Sequence, residues 1–279
     1  MKRRELLIAM AALAMSPTAV SCSRKASPAA RQRLSNVGIQ LYTVRDRMAV
    51  DVPGTLHRLA EIGYREVEFA GYFDHSTAEI VAILGDTGLA SPSTHVGMQS
   101  MRDTPGQLIE TANAIGHEYI VLASPEREER GSLDDFRRHA DLMNRFAEQC
   151  RTAGLKFAYH NHAFEFEPLD DVLPMDLLLE RTDPQLVHFE LDLYWIYTRG
   201  VDPFAYFDKH AGRFPLCHVK DMAVDGSIAD VGSGQINFAA LFAARELAGF
   251  RHYYVEHDNP ADSLASAAHS FSAVSKLEF

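Results

Sequence analysis

Three short runs end in side chains able to hold a divalent ion: VHFELD closes on Asp192, PLCHV carries His218, and YYVE closes on Glu256. A fourth, KFAYHNHAFEF (156–166), sets the imidazoles His160 and His162 two positions apart, with the carboxylate Glu165 three residues on. Carboxylate oxygens and imidazole nitrogens are the donors that Mn²⁺, Zn²⁺, Mg²⁺ and Co²⁺ accept. An imidazole left free moves protons near neutral pH, its unperturbed pKa being about 6.5. Each of these residues alone is most simply a hydrogen-bonded or solvated rim group. They make a site only if one frame brings them together.

The frame is legible in the alternation of the chain. β-rich runs at 38–42, 66–69, 91–95, 119–122, 156–160, 187–192, 215–219 and 253–256 alternate with segments of helical periodicity at 53–62, 76–86, 104–115, 133–153, 173–182, 202–211, 238–247 and 260–277. Several helical segments stop at glycine, as at Gly63, Gly88, Gly154 and Gly249, where the left-handed turn is cheap. Eight βα units predict a (β/α)8 TIM barrel. An open doubly wound sheet shares the alternation, but no GxGxxG follows the first strand. Functional groups of a barrel sit at the C-terminal strand ends, so Gln40, Tyr42, Glu68 and His95 are expected at the same mouth as His160, Asp192, His218 and Glu256.

Composition narrows the function. The 279 residues are 47% hydrophobic and 23% charged, which is that of a folded globular chain. A formal charge of −11 argues against nucleic acid as a partner, because binding phosphate backbones relies on clustered Lys and Arg. Cys22, Cys150 and Cys217 match no zinc-ribbon or CxxC spacing. Residues 1–22 have a basic start, a short apolar stretch and small residues, the pattern of an export signal. Arg3-Arg4 resembles a twin-arginine leader, and Ala19-Val20-Ser21-Cys22 resembles a lipoprotein cleavage box that would lipidate Cys22. Residues 23–35 are small, polar and basic and predict a flexible tether. The catalytic domain is expected over 36–279, in a periplasmic or membrane-anchored protein.

ELDLYW at Asp192, HVKD at His218, VEHD at Glu256 and VGSGQINF at 231–238 resemble, in order and spacing, the motifs of the xylose-isomerase-like barrel superfamily of sugar isomerases and epimerases, which shares its fold with endonuclease IV. The resemblance implies a divalent metal, of unspecified identity, held by Asp192, His218 and Glu256. The family's fourth ligand is often a strand-five glutamate that also exchanges protons with substrate. Here His160 falls at that position, so the fourth ligand is His160, His162 or Glu165. Glu165 is favoured, as a hard-ion ligand that leaves His160 or His162, with Glu256, for acid/base work. Gln40, Tyr42, Glu68, His95, Trp195 and Lys220 are then expected to bind substrate, although an ion pair of Lys220 with Asp221 is the simpler reading of that lysine.

The implied function is proton abstraction α to a carbonyl of a carbohydrate or keto-sugar through a metal-stabilised enediolate, giving isomerisation or epimerisation. The strand-five histidine keeps a lyase or dehydratase acting on a keto-sugar or 3-keto-glycoside as an alternative. A non-catalytic carbohydrate-binding lipoprotein is the alternative from outside enzymology.

Overall fold

Eight parallel strands close into a barrel in the computed structural model of the chain: β1 (Gly38–Gln40), β2 (Glu66–Phe69), β3 (Ala90–Val96), β4 (Tyr119–Leu122), β5 (Lys156–His160), β6 (Val187–Asp192), β7 (Leu216–Val219) and β8 (His252–Val255). Each pairs with its neighbours in sequence, and β1 closes the ring on β8 through Gly38 with Tyr254 and Ile39 with Val255. The closed (β/α)8 barrel replaces the open-sheet alternative. The structure describes residues 31–279, so the leader, Cys22 and most of the expected tether lie outside the described residues. The compact unit begins at Gln32, earlier than the expected boundary. Gln32 exchanges two backbone hydrogen bonds with Phe279, at 2.9 and 3.0 Å, which ties both ends of this unit together. Among the described residues, no helix is long and apolar enough to cross a membrane.

The period-two alternation of strands sorts the side chains into two cores. Ile39, Val67, Phe69, Ile120, Leu122, Phe157, Tyr159, Phe189, Leu191, Val219 and Val255 are buried in the large cluster shared with the helices. Residues of the other parity, Tyr119, Val121, Ala158, Leu216 and Tyr254, form a small separate apolar cluster. Continuing along that second parity gives Gln40, Glu68, Ser93, Glu190, Asp192 and His218, all almost wholly buried. The barrel interior therefore turns from apolar to ionic toward the strand ends. Gly38 admits the Tyr254 ring, which a Cβ at that position would meet at 2.5 and 2.8 Å.

Helix ends follow the expected chemistry, with capping boxes at Ser76/Glu79 and Ser132/Asp135 and left-handed glycines at Gly88 and Gly249. The first strand is shorter than expected. Gln40 Oε1 accepts from Tyr42 N at 3.0 Å and caps a 3-10 turn over Leu41–Val44. Beyond β7, a small antiparallel hairpin pairs Asp221–Met222 with Ile228–Ala229.

The VGSG segment is organised by Asp221 rather than by Lys220. The buried Asp221 carboxylate accepts backbone N–H bonds from Met222 and Ile236 at one oxygen and from Gly232 and Gly234 at the other, between 2.8 and 3.1 Å. A Cβ on Gly234 would overlap that carboxylate. Asp221→Ala leaves these four donors without their acceptor and is expected to cost roughly 2–4 kcal/mol, read from the denaturant midpoint. A loss below about 0.5 kcal/mol would show that the loop is held by something else.

Candidate active site

Adjacent strands bring the ionisable groups to one level. Asp192 is in register with His218 across β6 and β7, and His160 with Glu190 across β5 and β6. The ligand-capable atoms of His160, Asp192, His218 and Glu256 lie within 4.8 Å of one another, all in buried residues. The converging atoms are His160 Nε2, Asp192 Oδ2, His218 Nδ1 and Glu256 Oε2; the two oxygens also face the Lys220 ammonium, and among the described residues no other group outside the set meets them. Their contacts with one another are charge contacts: His218 Nδ1 to Glu256 Oε2 at 2.8 Å and to Asp192 Oδ2 at 3.7 Å, and His160 Nε2 to Asp192 Oδ2 at 3.5 Å. Buried polar atoms ordinarily find partners. Two imidazole nitrogens and two carboxylate oxygens aimed at one another are a donor set that fits Zn²⁺, Mn²⁺ or Co²⁺.

The remaining atoms of these side chains are occupied, which fixes the free ones. His160 Nδ1–H donates to Ala123 O at 3.1 Å. Asp192 Oδ1 accepts from Trp195 N at 3.0 Å, capping the short helix Leu193–Thr198. His218 Nε2 lies 2.8 Å from Glu68 Oε2. Such outer partners set which atom of each ligand faces inward.

Glu165, the expected fourth ligand, is not in this set. It is fully buried, with Oε1 accepting from Tyr159 Oη at 2.5 Å and Oε2 from His162 N at 2.8 Å. Its carboxylate thus buckles the loop after β5, and His160 takes the converging position. Between the two histidines, Asn161 Oδ1 accepts from Asp192 N at 3.0 Å and staples the end of β5 to the end of β6. His162 is turned to the cavity, its Nδ1 buried without a partner and its ring 4.8 Å from that of His160.

The cavity over this set measures about 730 Å³. Tyr42, His95, His160, His162, Trp195, Lys220 and Glu256 line it, and Tyr72, Val96 and Leu108 give it an apolar side. Gln40 and Glu68 do not reach it. Both are fully buried below the mouth, joined by Gln40 Nε2 donating to Glu68 Oε2 at 2.7 Å, so their expected role in binding substrate is corrected to an interior one. Lys220 is not paired with Asp221. Its ammonium lies 2.9 Å from Asp192 Oδ2, 2.7 Å from Glu256 Oε2 and 2.8 Å from Asp258 Oδ1.

Burial alone would neutralise these groups, and mutual pairing reverses it. For Asp192 and Glu256, burial raises the carboxyl pKa, but the Lys220 ammonium, with the neighbouring imidazoles, outweighs it and holds both well below the usual range. His218 is depressed by burial and raised further by Glu190 and Glu256, ending well above the usual imidazole value. His95, likewise against burial, is lifted to about 9 by Glu68 and Glu190. His162 has no carboxylate partner, and burial with the adjacent His160 pushes it down to about 2.

Asp258 and Asn161 carry parts of this arrangement without having been singled out as site residues, and Glu190, expected at the mouth with Asp192 as a strand-six group, carries a part without an expected role. Glu190 shares the β6 face of Asp192, two residues away, so strand parity was the available signal there, whereas Asp258 lies beyond the end of β8, where parity gives none. His139, on a helix of the outer layer, is buried with Nε2 on Glu129 O.

Comparisons with known proteins agree with the fold. Residues 56–273 match the family described as the xylose isomerase-like TIM barrel. The chain belongs to that family. Among curated relatives, the inosose dehydratase of Geobacillus kaustophilus (strain HTA426) is 24% identical over 242 residues, covering 69% of this chain and 78% of the relative. Among solved structures, a sugar phosphate isomerase/epimerase from Parabacteroides distasonis ATCC 8503 superposes with a TM-score of 0.72 at 26% identity, covering 87% of this chain and 94% of that one. The IOLI protein, solved with a zinc atom, shares the fold at a TM-score of 0.68 and 15% identity, covering 87% and 99%.

Burial raises the Glu165 carboxyl from its ordinary 4.5 to about 7. The folded state therefore holds a proton that the unfolded state releases, and stability falls as pH rises from about 4.5 to about 7. Glu165→Gln keeps the shape without the titration. Its unfolding free energy is expected to lose roughly 1–3 kcal/mol less than wild type across that window, measured by urea melts at fixed pH. Parallel profiles for the two proteins would refute this.

Proposed function

We propose that this chain is a divalent-metal-dependent enzyme that abstracts a proton α to a carbonyl of a non-phosphorylated carbohydrate or keto-sugar. The observation that carries the reading is the convergence within 4.8 Å of four buried ligand-capable atoms, one each from His160, Asp192, His218 and Glu256. When bound there, a divalent ion supplies positive charge against the enediolate that forms as the proton leaves. The chain's own residues do the rest. His162 lines the cavity, is kept neutral by burial and by the adjacent His160, and takes the proton. Lys220 and His218 keep Asp192 and Glu256 ionised, and His95 and Trp195 offer a polar and an aromatic wall to a sugar ring.

Two features favour a substrate without phosphate. Lys220 is the one lysine or arginine lining the cavity among the described residues and is already shared by three carboxylates, and the imidazolium of His95 is held by Glu68 and Glu190. The enediolate then has two outcomes. Elimination of a β-substituent, a lyase or dehydratase reaction, is supported by the dehydratase relative and by a proton acceptor on one side only. Isomerisation or epimerisation is supported by the likeness to the Parabacteroides structure, but it needs a second proton carrier, and His160 stands where a second glutamate would. Export is part of the proposal, supported by the leader pattern of residues 1–22, with Cys22 as the lipid-bearing residue if the protein is anchored.

Incubation in D₂O with a panel of sugars and keto-glycosides tests the reading. Deuterium at one defined carbon, or release of a β-substituent, is expected with metal and absent with chelator. His162→Gln is expected to slow turnover by about 10²–10⁴-fold while still binding metal, whereas His160→Ala is expected to lose metal. Exchange that survives chelation, or an unimpaired His162→Gln enzyme, would contradict it.

A further inference from the structure

Resting on the metal reading above, we propose that Glu68 is a positioning residue that dictates which nitrogen of His218 faces the ligand set. Glu68 lies one residue before the end of β2, facing β7 through the barrel interior, and its carboxylate is closed off from water. Oε1 accepts from Ser93 Oγ at 2.6 Å. Oε2 accepts from Gln40 Nε2 at 2.7 Å and lies 2.8 Å from His218 Nε2, with His95 Nε2 at 3.3 Å. Donors from β1, β3 and β7 thus hold this carboxylate in one orientation.

An ionised carboxylate only accepts. His218 must therefore present an N–H at Nε2, and Nδ1 is the nitrogen turned to the ligand set, 2.8 Å from Glu256 Oε2. Ligating histidines are commonly oriented in this way by a carboxylate behind them. Glu68 does so from a strand that contributes no ligand, and Gln40 in turn orients Glu68. Glu190 is the near neighbour with a different duty: its Oε2 is 2.6 Å from His95 Nε2 and 3.2 Å from His218 Nε2.

Glu68, His95, Glu190 and His218 also lie close enough to surround a cation themselves. In that arrangement His218 Nε2 would be a ligand and could not donate to Glu68. The matched pairs His218 with Glu68 and His95 with Glu190 favour the hydrogen-bonded state.

The test compares wild type, Glu68→Gln and Glu190→Gln for zinc and manganese affinity by calorimetry, ions per chain, and melting of the metal-free protein. It adds ¹⁵N NMR of the histidines in the zinc-loaded wild type. An amide offers one acceptor where several donors converge, so Glu68→Gln is expected to weaken metal binding about 10–100-fold with a metal-free fold that still melts cooperatively. Glu190→Gln is expected to weaken it well under tenfold. The NMR is expected to show His218 protonated at Nε2 and ligated at Nδ1, and it decides the matter on wild type even if Glu68→Gln fails to fold. Equal losses in the two variants, unchanged affinity in Glu68→Gln, two ions per chain, or ligation through Nε2 would overturn the proposal while leaving the metal reading standing. A wild type that binds no divalent ion would overturn both.

Discussion

Four carboxylates, Glu68, Glu190, Asp192 and Glu256, are shut away from water at one end of the barrel, and the rest of the site is arranged around that charge. Isolated ionised carboxylates in such surroundings are costly, and the usual escape is protonation. Here His95, His218 and Lys220 are interleaved with them at 2.6–3.3 Å, so each carboxylate has a cationic neighbour, and the three cations leave the four carboxylates short of one positive charge. Removing one partner from such an array leaves an uncompensated buried charge, which costs more than the intact pair contributes. The arrangement is therefore a commitment of the fold to function rather than a source of stability.

The barrel can carry this because its two faces of strand are independent. Apolar residues of one parity pack on the helices and form the large core, while the other parity is free to change from Tyr119, Ala158 and Leu216 to Glu190, Asp192 and His218 within one or two pleats. Register then aligns Asp192 with His218. Loops outside the barrel finish the geometry. Glu165 fixes the turn that aims His162 at the cavity, Asn161 ties β5 to β6, and the cap on the helix after β6 fixes the rotamer of Asp192.

Much of this was legible in the residues themselves. The eight-fold alternation and the glycine stops were enough for the barrel, and Asp192, His218 and Glu256 stood out as the ends of consecutive strands. What was not legible depended on where side chains turn after a strand ends. Glu165 has the chemistry of a hard-ion ligand, but a 3-10 turn over Phe164–Phe166 points it back at Tyr159 and the His162 amide. Glu68 and Gln40 look like rim residues by position, yet both sit in the interior, because β1 ends at Gln40 and β2 carries Glu68 one residue before its own end. Lys220 is adjacent in sequence to Asp221, but neighbouring residues of an extended chain face opposite sides. Asp221 consequently serves the VGSG loop and Lys220 the site.

The most direct measurement is anomalous diffraction from crystals soaked in manganese or zinc. The account predicts one strong peak within coordination distance, about 2.0–2.3 Å, of His160 Nε2, Asp192 Oδ2, His218 Nδ1 and Glu256 Oε2. A peak in the Glu68, His95 and Glu190 layer instead, a peak held by Glu165 with His160 turned away, or no peak at the strand ends would contradict it.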